Sequence, residues 1–236
     1  LARVILAHFS LPNINKDWLT PEDGSKQVLN HLKKSRAADK KAFVMWQPHI
    51  AKALKEPGYK VLLDSSQLKG YIVDVLVAER SFLKENPSLI QTFTEGYFRA
   101  LFHYQNKSNG IQTLITQDAN LLDSEKLDSQ LANAVAKGVQ WKNTVDNYSH
   151  FGLEGRQASV NHPYLEDMIG NIMGVLIKTK SIATDPLNGQ YNTLYYDQVL
   201  KALKASQFHP GQDLNLIQGL QNQAETTSSS ESVTAV

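Results

Sequence analysis

Three short apolar runs, separated by a helix-forming segment and by turns, constrain the fold of this chain most strongly. The runs are Ala42 to Trp46, Lys60 to Leu63 and Tyr71 to Ala78, and Pro48 opens a helix between the first two. A strand–helix–strand order with apolar strands predicts a right-handed parallel crossover within an α/β sheet. Because ligands bind where the connections diverge at the strand ends of such sheets, the segment predicts a small-molecule cleft.

Composition is compatible with one large domain or two small lobes. The chain has 236 residues, of which 42% are hydrophobic and 20% are charged, as expected for a globular protein. Lys and Arg together number 24 and Asp and Glu 23, so the net charge of +1 does not favour a nucleic-acid or membrane-surface partner. The absence of Cys excludes thiol catalysis, disulfides and Cys-based zinc sites.

Both ends of the sequence suggest a piece of a longer protein. The first nine residues predict part of an amphipathic helix, with no cap ahead of it, no signal peptide and no initial Met. We therefore expect a signal peptide, if there is one, to lie in a missing N-terminal part. Residues 212–236 are rich in Ser, Thr and Gln and are predicted to be a disordered tail or linker.

Most of the remaining sequence predicts helices. Apolar periodicity and capping residues place them at Ser25 to Ser35, Pro48 to Lys55, a short helix capped by Ser81, Pro87 to Gln105, Gly110 to Gln117, Asp128 to Val139, Pro163 to Lys178 and Leu194 to Ala205. The inward face of the Pro87 helix is predicted to carry Leu89, Ile90, Phe93, Tyr97, Leu101 and Phe102. The segment from Trp141 to Phe151 is predicted to be irregular but packed.

Five residues near the predicted strand ends are candidate ligand contacts. The indole of Trp46 offers a large rigid face and one hydrogen-bond donor, and the amide of Gln47 both donates and accepts. The hydroxyls of Ser65 and Ser66 suit a small oxyanion, and Tyr71 is placed to reach the same cleft. Trp46, Gln47 and the two serines also have structural interpretations, as a core tryptophan, an exposed first helical residue and turn residues, and Tyr71 flanks the inferred crossing strand.

Other polar residues in this region have weaker functional interpretations. Asp64 is expected to cap a loop or pair locally, and Asp74 to be a structural hydrogen-bonding residue near a hinge that includes Gly70. His49 is expected on a helix surface. No two histidines have metal-ligand spacing, and no phosphate loop or nucleophile elbow is present, so neither a metal, a cofactor nor a catalytic residue is predicted.

Several of these motifs occur in a familiar order. They are Trp46-Gln47-Pro48, Asp64-Ser65-Ser66, the run from Gly70 to Val77 and the helix from Pro87 to Tyr97. Their spacing resembles that of type II periplasmic substrate-binding proteins, in the branch that takes nitrate, sulfonates, taurine and thiamine precursors. The resemblance covers residues 1 to about 105 well and extends more weakly to about Gly211. In this later part, the sequence resembles a C-terminal extension of relatives described as phosphate-transporter binding proteins.

The resemblance implies the solute-binding component of an ABC importer, without enzymatic activity. Such a protein has two α/β lobes joined by hinge strands, and it captures a small polar or anionic ligand between them for an inner-membrane permease. Residues 1–69 would belong to lobe two, and residues 70–211 would return to a partial lobe one with a helix-rich C-terminal extension. A periplasmic or envelope location and a downstream peptidoglycan-binding domain, of the outer-membrane-protein-A type, would fit this assignment.

Two other functions remain open from the sequence. One is an enzyme of the same fold that resembles the thiamine-pyrimidine synthases, although those carry a cysteine cluster and this chain has no Cys. The other is a cell-envelope scaffold that has no solute-binding function.

Overall fold

The computed structural model describes Ala2 and residues 18–68, 70–121, 126–155 and 163–212. Helices dominate these residues. They are α1 (Ser25–Lys34), α2 (His49–Ala53), α3 (Arg80–Glu85), α4 (Pro87–Asn106), α5 (Gly110–Leu121), α6 (Ser129–Gly138), α7 (Thr144–His150), α8 (Leu165–Lys178) and α9 (Gln198–Ala205). Short 3-10 helices occur at Ala37–Asp39, Ser65–Gln67 and Tyr191–Leu194.

The helix predictions are confirmed wherever the local signals are strong. Pro87 occupies the first turn of α4, where its missing N–H costs no hydrogen bond. The Asp128 carboxylate caps α6 by accepting from the Leu131 N–H at 2.7 Å. The predicted N-terminal helix and the predicted tail lie outside the described residues, except for Ala2 and Gln212.

The prediction of an irregular segment from Trp141 to Phe151 is wrong, because this stretch contains α7. Asn143 and Asp146 form a capping box: the Asn143 side chain accepts from the Asp146 N–H at 2.8 Å, and the Asp146 side chain accepts from the Asn143 N–H at 3.1 Å. This reciprocal pair satisfies two backbone donors that would otherwise lack partners at the helix start. The Asn143–Asp146 spacing was the sequence signal for this helix.

None of the three predicted strands is confirmed within the described residues. Residues 42–46, 60–63 and 73–78 have neither helix nor strand pairing, and residues 71 and 72 lie in a turn and a bend. A strand exists only where a neighbouring strand accepts and donates its backbone hydrogen bonds, and no neighbour pairs with these segments in the described parts of the chain. The observed architecture is therefore helix-rich.

The described residues divide into two compact units, each assembled from separate stretches of chain. The first draws on Leu1–Asp64, Gln112–Gln140 and Gly174–Thr184, and the second on Ser65–Ile111, Trp141–Met173 and Asp185–Val236. Consecutive residues therefore change unit five times along the sequence, at 64/65, 111/112, 140/141, 173/174 and 184/185.

The first unit has two small apolar clusters. Leu29 and Leu32 of α1 pack with Ala53 of α2, and Phe43 and Met45 cover them. The second cluster joins α5 to α6 through four buried residues: Ala119, Leu127, Leu131 and Ala132. An ion pair between Lys55 and Asp128, 3.1 Å apart, lies at the surface of this unit.

The core of the second unit is built on α4, α7 and α9. Its buried members are Phe98, Tyr148, Val199, Leu200, Leu203 and Phe208. The Arg99 guanidinium, also buried, lies 4.8 Å from the centre of the Phe208 ring. The inward face predicted for α4 is only partly confirmed: Leu101 and Phe102 are buried, whereas Leu89, Phe93 and Tyr97 are exposed.

Candidate functional site

Trp46 lies at the end of an alternating segment of the first unit. Phe43 and Met45 turn towards the buried cluster, whereas Val44 and Trp46 turn away from it. This period-two alternation is typical of strand-like chain with one covered face. It leaves 62% of the Trp46 surface exposed, so the indole is available to a ligand and is not a core residue.

Two helices hold the backbone of Trp46 in place. The hydroxyl of Ser25, buried at the start of α1, accepts from the Trp46 N–H at 3.0 Å and donates to the Trp46 carbonyl at 3.3 Å. The N–H groups of His49 and Ile50 donate to the same carbonyl at 3.0 and 3.3 Å. Ser25 was predicted to cap α1, but Gly24 takes that position, with φ of 94°. The Ser25 hydroxyl instead fixes the backbone that carries the exposed indole.

Gln47 has a local structural role at the start of α2. Its side-chain oxygen accepts from the Ala51 N–H at 3.3 Å, which satisfies one donor in the first turn of α2. Its amide also lies against Gly138, where an added Cβ would stand 3.3 Å from the Gln47 Nε2. The binding role predicted for Gln47 stays a prediction. His49, expected on a helix surface, is instead buried.

The remaining predicted site residues lie in the second unit, apart from Asp64. Ser65 and Ser66 are exposed on the short 3-10 helix, and Asp74 is exposed in irregular chain. Gly70 has φ of 78°, and an added Cβ there would lie 3.1 Å from the Met168 side chain. This backbone conformation and close approach both favour glycine.

Tyr71, in the same stretch, is half-buried, and its N–H donates to the Leu68 carbonyl at 3.2 Å. Trp46 and Gln47 thus belong to one compact unit, and Ser65, Ser66 and Tyr71 to the other. The members of each group therefore share a unit, but the two groups do not. The contact between Trp46 and the two serines through one ligand stays a prediction.

The second unit contains a polar cluster that the sequence did not reveal. The His150 Nδ1 lies 2.8 Å from the Pro163 carbonyl, to which it donates, because a carbonyl oxygen can only accept. The Tyr195 hydroxyl donates to Glu166 at 2.6 Å. The Tyr164 hydroxyl donates to the Gly155 carbonyl at 2.6 Å. These contacts join residues that are 13, 29 and 9 positions apart in sequence, and they fit a structural role.

The loop around Asp185 is another polar feature whose hydrogen bonds are internal. The two carboxylate oxygens accept from the N–H groups of Leu187 and Gly189 at 2.8 and 2.9 Å, and from the Tyr191 hydroxyl at 3.0 Å. Desolvation acts to raise the pKa of Asp185, but these hydrogen bonds together hold it below the ordinary value of 3.8. The hydrogen bond that the Tyr191 hydroxyl donates to Asp185 raises the pKa of Tyr191. Asp185 therefore organises its own loop.

Substituting Asp185→Asn is expected to lower the thermal unfolding temperature at neutral pH, because the amide has one acceptor oxygen fewer. A depressed folded-state pKa stabilises the protein above the unfolded value of 3.8, and this advantage is lost as pH falls through the folded value. The difference between variant and wild type should therefore close below pH 3.8. Thermal unfolding by circular dichroism across this range tests the prediction.

Asp118→Asn provides a matched control, since Asp118 is exposed on α5 and its side chain makes no hydrogen bond to a described residue. Its unfolding temperature should follow that of the wild type at every pH. An Asp185→Asn variant that also follows the wild type would contradict the prediction.

Two kinds of feature are absent from the described residues. Among residues 18–68, 70–121, 126–155 and 163–212, no three His, Asp or Glu side chains are placed to hold a metal ion. In the same ranges, no helix has the length and apolar character needed to cross a bilayer.

Comparison of the chain with protein-family models, with curated proteins and with solved structures found no match.

Proposed function

We propose that this chain is the solute-binding component of an ABC import system and captures a small polar or anionic ligand. We also propose that it has a partial type II periplasmic-binding α/β fold, with a helix-rich C-terminal part. On this proposal it works in the periplasm or cell envelope and delivers its ligand to an inner-membrane permease. A downstream peptidoglycan-binding domain would anchor it there.

The exposed indole of Trp46 carries the proposal. Folding normally removes a large apolar side chain from water, at about 25 cal/mol per Å² of buried surface. Here most of the side chain is exposed while the backbone beneath it is fixed by Ser25 and by the start of α2. A rigid, solvent-facing aromatic surface loses little conformational entropy when a ligand packs against it. That combination suits a binding site.

The residue types predicted for the site favour a polar solute. Gln47 follows Trp46 in the chain and carries an amide, and the sequence predicts the hydroxyls of Ser65 and Ser66 as further ligand contacts. These groups are neutral donors, which bind small oxyanions through hydrogen bonds without a full counter-charge. Sulfonates, nitrate, phosphate and thiamine precursors are therefore the solutes to test.

Isothermal titration calorimetry of the full chain with each of these solutes tests the proposal. We expect at least one of them to bind, and Trp46→Ala to weaken that binding by about tenfold, which corresponds to the loss of about 1.4 kcal/mol of contact energy. Trp18→Ala is the matched control because Trp18 is also an exposed tryptophan of the first unit. Unchanged affinity in Trp46→Ala, or no binding of any solute, would count against the proposal.

The substitution Ser25→Ala tests whether solute binding depends on the position of the Trp46 indole as well as on its presence. The substitution removes both side-chain hydrogen bonds to the Trp46 backbone and leaves the indole itself intact. We expect weaker solute binding, whereas Ser35→Ala, which loses one hydrogen bond to the His31 carbonyl, should bind like the wild type. Circular dichroism of both variants checks that each remains folded.

One observation favours the second candidate, a cell-envelope scaffold without solute binding. Residues 72–77 present an exposed apolar surface in the second unit, and exposed apolar patches are typical of protein interaction sites. A chain that binds none of the solutes but associates through this segment would fit the scaffold better than the importer component.

A further inference from the structure

The segment from Ile72 to Ala78 has no backbone partners among the described residues. The last backbone hydrogen bond before it runs from the Tyr71 N–H to the Leu68 carbonyl, and the first after it runs from the Leu83 N–H to the Glu79 carbonyl. Seven consecutive residues therefore present their N–H and C=O groups without a described protein acceptor or donor. Such a row of unpaired groups is a template for pairing with another strand.

The side chains of this segment are as exposed as its backbone. The apolar ones are largely exposed, and 87% of the Val77 surface is open to solvent. They are mainly β-branched, a type that favours strand conformation, and Asp74 is the only charged residue between Ile72 and Ala78. Composition and unpaired backbone together indicate a strand without a partner among the described residues.

The charges at the two ends of the segment specify how a second copy would pair. Asp74 lies three residues before Val77, and Arg80 lies three residues after it. Antiparallel pairing with a two-fold axis at Val77 places Asp74 of each copy opposite Arg80 of the other, whereas parallel in-register pairing opposes Asp74 to Asp74. Opposite charges across a strand pair stabilise it and like charges destabilise it.

Arg80 can take part in such a pair from its observed position. One guanidinium nitrogen, Nη2, already donates to the Thr193 carbonyl. A guanidinium has five N–H donors, so donors remain for a carboxylate. Glu79 also has an extended backbone, with φ of −62° and ψ of 140°, which carries the strand-like conformation up to the start of α3.

We propose that the extended segment Val75 to Glu79 pairs with the same segment of a second copy of this chain, which brings Asp74 of each copy to the Arg80 that begins α3 of the other. The two strands run antiparallel about a two-fold axis at Val77, and the proposal goes beyond the solute-binding function. An isologous two-fold contact of this kind closes on itself and produces a dimer rather than a filament.

Molar mass in solution provides the first test, by light scattering of the full chain after size exclusion. We expect twice the mass of one chain for the wild type and a mass about half as large for Val77→Lys, since two ammonium groups would then face each other at the axis. Leu121→Lys is the matched control: Leu121 is 83% exposed, close to the 87% of Val77, but lies on α5. It should remain a dimer. A wild type that is monomeric at every concentration, or two variants that dissociate equally, would overturn the proposal.

Disulfide cross-linking tests the register, and the chain suits it because it contains no Cys. Residues that face each other at a two-fold axis have Cβ atoms close enough for a disulfide, so Val77→Cys should cross-link to a dimer under mild oxidation. Val73→Cys should remain uncross-linked, because the proposed register separates the two copies of residue 73 by about 26 Å along the strands. Equal cross-linking of both variants would overturn the register.

Hydrogen exchange distinguishes a second copy from a different occupant. Protection of amides within residues 75–79 should increase with protein concentration and disappear in Val77→Lys. Protection that is independent of concentration in a monomer would mean that another part of the same chain covers the segment, and the proposal would be wrong.

Discussion

Substituting Leu203→Ala is expected to destabilise the second unit by about 3 to 4 kcal/mol. Leu203 is completely buried in α9 and contributes to the cluster that joins α9 to α4 and α7. The substitution removes buried methyl groups and leaves a cavity, and the two effects add. Alanine has a helix propensity at least as high as that of leucine, so the loss would report packing and not the helix itself.

Urea unfolding followed by Trp141 fluorescence measures this effect in the relevant unit. Trp141 lies in the second unit, whereas Trp18 and Trp46 lie in the first, so both are replaced by Phe in all the proteins compared. Leu194→Ala is the control because Leu194 is 57% exposed in the same unit, and it should cost about 0.5 kcal/mol or less. Equal costs for the two leucines would contradict the packing described for α9.

Substituting Gly110→Ala is the second change with a large expected effect. Gly110 begins α5 directly after the turn that follows α4, and an added Cβ would lie 2.3 Å from the Tyr104 carbonyl oxygen. Backbone atoms of a helix move only if the helix end is rearranged, so the clash cannot be relieved by a side-chain rotation. We expect a loss of about 2 to 4 kcal/mol in the free energy of unfolding, measured in the same way.

Gly96→Ala is the matched control, since it makes the same chemical change inside α4. An added Cβ at Gly96 meets no atom within 4 Å, and replacing a helical glycine by alanine stabilises a helix by about 0.5 to 1 kcal/mol. The two substitutions should therefore shift stability in opposite directions. A neutral or stabilising Gly110→Ala would show that the Tyr104 carbonyl does not restrict this position.

Features determined by neighbouring residues could be predicted from the sequence. The starts of α4 at Pro87 and of α6 next to Asp128 depend on residues within one helical turn, and both predicted helices are confirmed, although the cap that Asp128 forms was not itself predicted. The start of α7 has an equally local signal in Asn143 and Asp146. It was missed because that signal lies within an aromatic segment without clear apolar periodicity.

Features determined by distant residues could not be predicted. Helix α4 has apolar residues on more than one side, and only the tertiary packing decides that Phe98 and Leu101 are buried while Leu89 and Phe93 remain exposed. The predicted strands are not confirmed within the described residues, for a related reason. Apolar β-branched sequence favours a strand, but the hydrogen-bonding partner has to come from elsewhere.

The features of the candidate site can also be separated into those set by neighbouring residues and those set by distant ones. The sequence left Trp46 open between a ligand contact and a core residue, and the alternation of covered and exposed side chains from Phe43 to Trp46 in the structure shows that the indole leaves the core. Nothing near Trp46 in the sequence indicated that Ser25, 21 residues earlier, would fix its backbone with one hydroxyl. The first observation follows from local periodicity, whereas the second depends on how α1 packs against the chain after Phe43.

The repeated crossing of the chain from one unit to the other has a consequence for its biosynthesis. The last stretch of the first unit is Gly174–Thr184, and the second unit receives further residues from Asp185 onwards. A ribosome releases the chain from its N-terminus, so even the first unit lacks one of its pieces until residue 184 has left the exit tunnel. Early segments must therefore wait for late ones, and neither unit can be produced alone by cutting the gene at one place.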